Sequence, residues 1–267
     1  MKLDGARILV TGASSGIGAA LAPALAERGA TVGIVARRAD RLEAVLDACR
    51  AHAPDSRMWT ADLGDLERAE QVATAAWDAF EGLDAIVNNA AIPLRKRVTD
   101  LTAADVALLM DVDFHSPVRM SLAVLPRMLA RGAGTIVFVS SLGGRIPIPN
   151  EAAYNAAKYA LCGFAEAMAL DLGGTGVVVK LVLPGPIDTE IWDQPGNAPA
   201  LFETEKVSAM DCASGIADAL AADGFEFYVP PVFPDGTDAK QLALNKSAAC
   251  DNYIRGMTDV ATALRNP

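Results

Sequence analysis

The chain has 267 residues, 52% of them hydrophobic and 21% charged, which is ordinary globular composition and length enough to bury a core without staples. Its 33 acidic against 23 basic residues leave a net charge of −10, which argues against a nucleic-acid or anionic-membrane surface as its main business. Cys49, Cys162, Cys212 and Cys250 are scattered, with no CxxC or Cys/His cluster, so no metal site and no disulfide framework is expected, and reduced thiols in a cytoplasm are the reading. The N-terminal segment enters a strand-like run almost at once, and no apolar run is long enough to span a bilayer, so neither a signal peptide nor a membrane partner is expected.

In chain order, "RILVTG" at residues 7–12 is short, apolar and β-branched, and reads as a buried strand ended by glycine. "AALAPALAERG" reads as a helix closed by Gly29, with Pro23 inside it at the cost of a hydrogen bond or a kink. Strands follow at 31–36, 57–63, 83–88 and 134–141, and helices at 38–52 and 66–80. Two helical stretches cover 102–131, then come a helix at 150–172 and the strand "VVVKLVLPG". Strands alternating with helices at this spacing predict an α/β fold, a Rossmann-like doubly wound parallel sheet with helices on both faces, in one domain. Residues 186–208 read as a loop or lid, 211–222 as a helix and "FEFYVP" as a strand; from about 230 to 267 an irregular extension is expected, with a helical tail.

Three stretches carry chemistry. "ILVTGASSGIGAAL" joins the first strand to the first helix, with glycines at Gly12, Gly16 and Gly18. Glycine lets backbone turn tightly and approach a pyrophosphate at a helix N-terminus. A purely structural turn would read alike, but strand before and helix after are the context of a nucleotide site. Second, an NAD site places an acid about 20 residues after the turn, to hold the ribose 2′-hydroxyl. Here Ala36 stands in its place, followed by Arg37 and Arg38, which suit a 2′-phosphate and so favour NADP. Third, Tyr154 and Lys158 are four apart on one helix face, and Ser141 ends the strand before them. A lysine one turn away favours the phenolate and so brings a tyrosine toward neutral-pH proton transfer, while a serine at the C-terminal end of a strand can orient a substrate oxygen. Ser140, on the opposite side of the strand, reads as structural, Tyr159 as packing, and His52 and His115 are unassigned.

"TGASSGIG", "NNAA", "SSLGG", "YNAAK" and "PGPIDT", in that order, resemble the motifs of the short-chain dehydrogenase/reductase family over residues 7–189. The resemblance implies a hydride transfer between NADP(H) and a ketone or secondary alcohol, with Ser141, Tyr154 and Lys158 as the catalytic groups. It implies cofactor contacts from Gly12, Ser14, Ser15, Gly16, Ile17 and Gly18, from Arg37 ahead of Arg38, and from Asp62 with Leu63 at the adenine. It also implies contacts from Asn89 beside the adenosine, from Pro184, Gly185, Ile187 and Thr189 near the nicotinamide, and from Tyr154 and Lys158. A helix N-cap is the competing role for Asp62, and tying down loops is the competing role for Asn88. Ala91 replaces the last glycine of the family's NNAG, and Asp113 stands where the family has an asparagine that stabilises a helix kink. Ionised, Asp113 accepts hydrogen bonds but cannot donate; it either shapes the helix or carries protons itself, and the first reading is favoured.

The resemblance further implies a homodimer or homotetramer through the helices of 102–131 and the Tyr–Lys helix. The substrate is unspecified, but Leu142, Ile146, Ile148, Ile191, Trp192, Leu201 and Phe202 are expected to wall its pocket and to suit a hydrophobic ketone. A dinucleotide-binding regulatory protein without turnover, or an epimerase or lyase cycle, would use the same fold.

Overall fold

The structure, a computed structural model, describes residues 1–200 and 205–265. A seven-stranded parallel sheet runs in the order β3-β2-β1-β4-β5-β6-β9, with β1 Arg7–Thr11, β2 Thr31–Ala36, β3 Arg57–Thr60, β4 Ala85–Asn88, β5 Gly134–Val139, β6 Val177–Pro184 and β9 Glu226–Val229. Two short strands, β7 Ile187–Asp188 and β8 Val207–Ser208, pair apart from it. Helices α1 (Gly16–Glu27), α2 (Ala39–Arg50) and α7 (Ala209–Ala221) cover one face. Helices α3 (Leu66–Ala79), α5 (Ser116–Arg131) and α6 (Ala152–Asp171) cover the other. The doubly wound sheet read from the alternating pattern is thus the observed fold, and its central strands are apolar throughout because both faces are buried.

Strand order reverses at β1, which pairs with β2 on one side and β4 on the other, in the register Ile8↔Ala85, Leu9↔Ile86 and Val10↔Val87. A crevice therefore opens at the C-terminal ends of β1 and β4, where the chain leaves for opposite faces.

Local chemistry sets the boundaries. β3 stops at Thr60, short of the expected 63, because the Asp62 carboxylate accepts the Gly64 N–H at 2.9 Å and turns the chain. Asp65, not Asp62, then caps α3, accepting the Arg68 N–H at 3.0 Å. α1 starts at Gly16 and runs through Pro23, burying Leu21, Ala22, Leu25 and Ala26. The helices expected at 102–131 are α4 (Ala103–Met110) and α5, joined without a break by one π turn at Asp111–His115. A π turn inserts one extra residue and rotates side chains relative to an α-helix; here it buries Val112 and Asp113.

The lid region is pinned at both ends, since β7 pairs with β8 and the Val207 N–H donates to the Pro186 carbonyl at 2.9 Å. The extension expected to be irregular is so only to Asp238. That residue caps α8 (Ala239–Ala248) by accepting the Gln241 N–H at 2.7 Å, and α9 (Cys250–Arg265) follows. Among the described residues no helix is long and apolar enough to cross a membrane.

Candidate active site

A cavity of about 1140 Å³ lies along the C-terminal ends of the strands, with the glycine turn at one end and Ser141, Tyr154 and Lys158 lining it further along. Two of the turn's glycines have no room for a side chain. Gly12 has φ +70°, and a Cβ there would sit 2.7 Å from Ala90 Cα; one on Gly18 would sit 2.5 Å from the Gly12 carbonyl oxygen. Thr11 Oγ1 accepts the N–H groups of Asn89 and Ala90, both at 2.9 Å, and the Asn89 side chain donates to the Thr11 carbonyl at 2.9 Å. These bonds tie the turn to the end of β4. Ser15 precedes α1 without capping it through its side chain, and no acidic residue stands in the first turn. The helix N-terminus, with its positive partial charge, is thus free to meet an anion.

Of the two arginines after β2, Arg37 is exposed at the cavity and has no hydrogen bond or ion pair among the described residues. Arg38 is committed. It donates to Ser14 Oγ at 3.2 Å and Ser15 Oγ at 2.7 Å, and pairs with Glu190 at 3.1 Å. Glu190 also pairs with Arg41 at 2.5 Å, and these two arginines hold its carboxyl below the usual range. Asp62, Leu63, Asn89, Pro184, Gly185, Ile187 and Thr189 all line the cavity, as expected. Asn88 does not; it donates to Ser121 Oγ at 3.0 Å and to the Val137 carbonyl at 3.3 Å, a structural role.

Lys158 is buried. Its Nζ lies 5.6 Å from the Tyr154 ring centre and 3.5 Å from Asp113 Oδ2. Asp113 is wholly buried, and its other oxygen accepts the Ile92 N–H at 2.8 Å. The π turn therefore delivers the carboxylate itself to the lysine, in addition to shaping the helix. Burial pushes the Asp113 carboxyl up, against the pull of Lys158 and the Ile92 N–H. Spacing alone pointed to a phenol eased toward ionisation by Lys158. Instead, burial first and the Asp113 charge second push the Tyr154 phenol above its ordinary value, with a Ser141 hydrogen bond acting the other way. The lysine's charge is answered by a carboxylate that the sequence does not bring near it. Ser140 is structural, donating to the Lys158 carbonyl at 3.1 Å, and the Tyr159 hydroxyl donates to the Arg145 carbonyl at 2.5 Å.

Leu142, Ile146, Ile148, Ile191 and Trp192 line the cavity; Leu201 and Phe202 lie outside the described residues. Sequence reasoning missed Arg95, Glu151, Phe233, Tyr253 and Met257, which also line it. Only Glu151 carried a local signal, standing three residues before Tyr154 on the same helical face. Arg95 is buried and holds the lid: its Nε donates to the Ala198 carbonyl at 3.0 Å, another nitrogen donates to the Trp192 carbonyl, and its guanidinium stacks 5.1 Å from the Trp192 ring centre.

Residues 6–199 match the family model described as short chain dehydrogenase. The Drosophila melanogaster protein named dehydrogenase/reductase SDR family protein 7-like is 36% identical over 197 residues, which is 71% of this chain and 60% of that protein's own length. The crystal structure of a short chain dehydrogenase from Burkholderia cenocepacia in complex with NADP superposes with a TM-score of 0.78 at 27% identity, covering 96% of this chain and 99% of that one. A short chain dehydrogenase/reductase from Burkholderia phymatum in complex with NAD shares the fold, with a TM-score of 0.79 at 24% identity over 86% of this chain and 91% of that one.

Burial pushes the Glu151 carboxyl from the usual 4.5 up to about 7, opposed by Arg95. A raised folded-state pKa means that the folded protein holds this proton more tightly than the unfolded chain, so the contribution is fully present below pH 4.5 and is lost as pH rises through about 7. Glu151→Gln should therefore raise the melting temperature at pH values above 7, worth at most about 3 kcal/mol at roughly 1.4 kcal/mol per pH unit, and leave it unchanged near pH 4. Thermal unfolding of both proteins across this range checks it; an equal shift at both ends would show that the carboxyl is not held protonated by burial.

Proposed function

Because the chain belongs to the short chain dehydrogenase family, we propose that this oxidoreductase is NADP(H)-dependent and interconverts a ketone and a secondary alcohol, with Tyr154 as the acid–base group. The observation that carries the reading is a single cavity lined both by the glycine turn, where Gly12 has no space for a Cβ, and by Ser141, Tyr154 and Lys158.

The residues present fit a dinucleotide. Gly12 and Gly18 have no space for a Cβ, the first turn of α1 has no side-chain cap, and Arg37 is unpaired among the described residues. Gly12, Ser14, Ser15, Gly16, Ile17 and Gly18 would hold the pyrophosphate, Arg37 and Arg38 a 2′-phosphate, and Asp62, Leu63 and Asn89 the adenosine. Lys158, Pro184, Gly185, Ile187 and Thr189 would hold the nicotinamide end. When bound, the cofactor supplies or accepts the hydride. Tyr154 passes its phenolic proton to the substrate oxygen, Ser141 Oγ orients that oxygen, and Lys158 with Asp113 sets the charge beside the phenol. Leu142, Ile146, Ile148, Ile191 and Trp192 exclude water and favour an apolar substrate body over a small anion. A homodimer or homotetramer would form through α4 and α5, where Val106, Leu108, Leu122 and Leu129 are exposed. A second reading, dinucleotide binding without turnover, draws on the raised phenol and the paired lysine.

Tyr154→Phe should leave NADPH binding near wild type and cut the reduction rate by on the order of 100-fold, since the hydroxyl alone is lost. NADPH consumption with a panel of cyclic, aromatic and aliphatic ketones measures it; near-normal turnover in the variant removes Tyr154 from the mechanism, and no turnover of any ketone by the wild type favours the second reading. Arg37→Ala should weaken NADPH much more than NADH in a fluorescence titration, because only NADPH carries the 2′-phosphate. Equal weakening, or a wild-type preference for NADH, would overturn the NADP assignment. Asp113→Asn removes the charge that raises the phenol while leaving an amide that both donates and accepts. The ascending limb of the alcohol-oxidation pH profile should then move toward acid with activity kept. A large loss of rate with an unmoved limb would show that the carboxylate itself carries protons.

A further inference from the structure

We propose that Glu151 is a substrate-binding residue that accepts a hydrogen bond from an ammonium or hydroxyl group on the reacting molecule, so that the substrate class is a largely apolar ketone or alcohol bearing one hydrogen-bond donor. The proposal rests on the reductase reading above and narrows its substrate.

Glu151 immediately precedes α6. Positions 151, 154 and 158 are spaced three and four apart, so the carboxyl shares a face with Tyr154 and Lys158, and all three line the same cavity. Around them the walls are apolar: Leu142, Ile146, Ile148 and Pro149. Glu205, which is exposed, also lines the cavity without a hydrogen bond among the described residues, whereas the other carboxylates nearby have partners. Asp62 accepts the Gly64 N–H at 2.9 Å, Asp113 accepts the Ile92 N–H at 2.8 Å, Glu190 pairs with Arg38 and Arg41, and Asp235 accepts the Thr237 N–H at 2.8 Å. The Glu151 side chain has no hydrogen-bond partner among the described residues. It does not cap its helix, which is the ordinary use of a polar side chain at that position. Arg95 lines the same cavity and attracts the carboxyl but makes no hydrogen bond to it, and two of its N–H groups go to the carbonyls of Trp192 and Ala198.

A half-buried acid set among apolar walls, with no protein donor on its oxygens, leaves them for a ligand to complete. A carboxylate offers only acceptors, and a protonated carboxyl keeps one acceptor oxygen, so the complementary group is a donor in either state. The raised Glu151 pKa agrees with a site short of such a donor. A polar group of this kind discriminates more strongly than an apolar wall, because an analogue lacking the donor leaves the acid unpaired again.

The test is kcat/KM with NADPH for three cyclic ketones of similar size: cyclohexanone, a ring-hydroxylated cyclohexanone and the ketone of N-methylpiperidine. Each is measured with wild type, Glu151→Gln and Glu151→Ala at a pH above the Glu151 pKa. The wild type should prefer at least one donor-bearing ketone over cyclohexanone by roughly tenfold or more. Glutamine keeps an acceptor but no charge, so it should abolish a preference for the amine and retain part of a preference for the hydroxyl; alanine should abolish both. This pattern identifies which donor the site takes. Every preference is read as a ratio to cyclohexanone in the same protein, because the Glu151 charge acts on the Tyr154 phenol in all of the assays. Equal kcat/KM for the three ketones in the wild type overturns the proposal, as does a preference that survives in Glu151→Ala or a parallel loss on cyclohexanone. Failure of the wild type to reduce any of the three overturns the reductase reading and the proposal with it, whereas reduction without discrimination overturns the proposal alone.

Discussion

The parallel pairing of β1 with β4 is the constraint from which the site follows. Ile8, Leu9 and Val10 register against Ala85, Ile86 and Val87, which brings the ends of two strands far apart in sequence side by side. The chain leaves β1 toward α1 on one face, while the helices packed on β4 and β5 lie on the other. Nothing fills the gap between them, so a crevice is unavoidable. Thr11 then turns proximity into fixed geometry, since its hydroxyl and carbonyl hold Asn89 and Ala90 against the glycine turn. Side chains at Gly12 or Gly18 would push these two loops apart.

Along the same crevice, electrostatics is set by burial more than by spacing. Lys158 and Asp113 are both withdrawn from water and lie 3.5 Å apart. A buried charge is tolerated when another answers it, and removing one partner leaves the other exposed to the full desolvation cost. The pair has a consequence for the phenol beside it, because a lysine already neutralised by a carboxylate does less to favour phenolate. The site therefore trades proton affinity at Tyr154 against the stability of its own buried lysine.

The far end of the cavity is governed by the lid. Arg95 joins it to the loop after β4 through carbonyls at Trp192 and Ala198, and Glu190 joins it to Arg38 and Arg41 beyond β2. Three arginines, one from the loop after β4 and two from beyond β2, thus hold one segment, and the pairing of β7 with β8 closes its base. Arg38 lies between the hydroxyls of Ser14 and Ser15 and the Glu190 carboxylate, so any anion reaching it there must compete with Glu190.

How much was legible beforehand follows from the range of each force. Continuous apolar runs marked β1, β2 and β4–β6, with β1 and β6 running into a glycine, because a strand buried on both faces needs little else. The glycine turn and the four-residue spacing of Tyr154 and Lys158 are local patterns that survive in a one-dimensional string. Asp65 taking the cap that was the competing role for Asp62, and Asp238 starting α8 in a segment read as irregular, were decided by which carboxylate the backbone geometry could reach. The charge state around Tyr154 depended on a π turn that swings Asp113 onto Lys158, 45 positions away in the chain. Arg95 and Glu151 became features of the site only when the lid and α6 met across one cavity. Periodicity and backbone chemistry are written residue by residue, so the sequence by itself determined the sheet, its helices and the spacing that sets Tyr154 and Lys158 on one helix. Burial and charge pairing belong to residues distant in the chain, so tertiary structure alone decided which charge faces which.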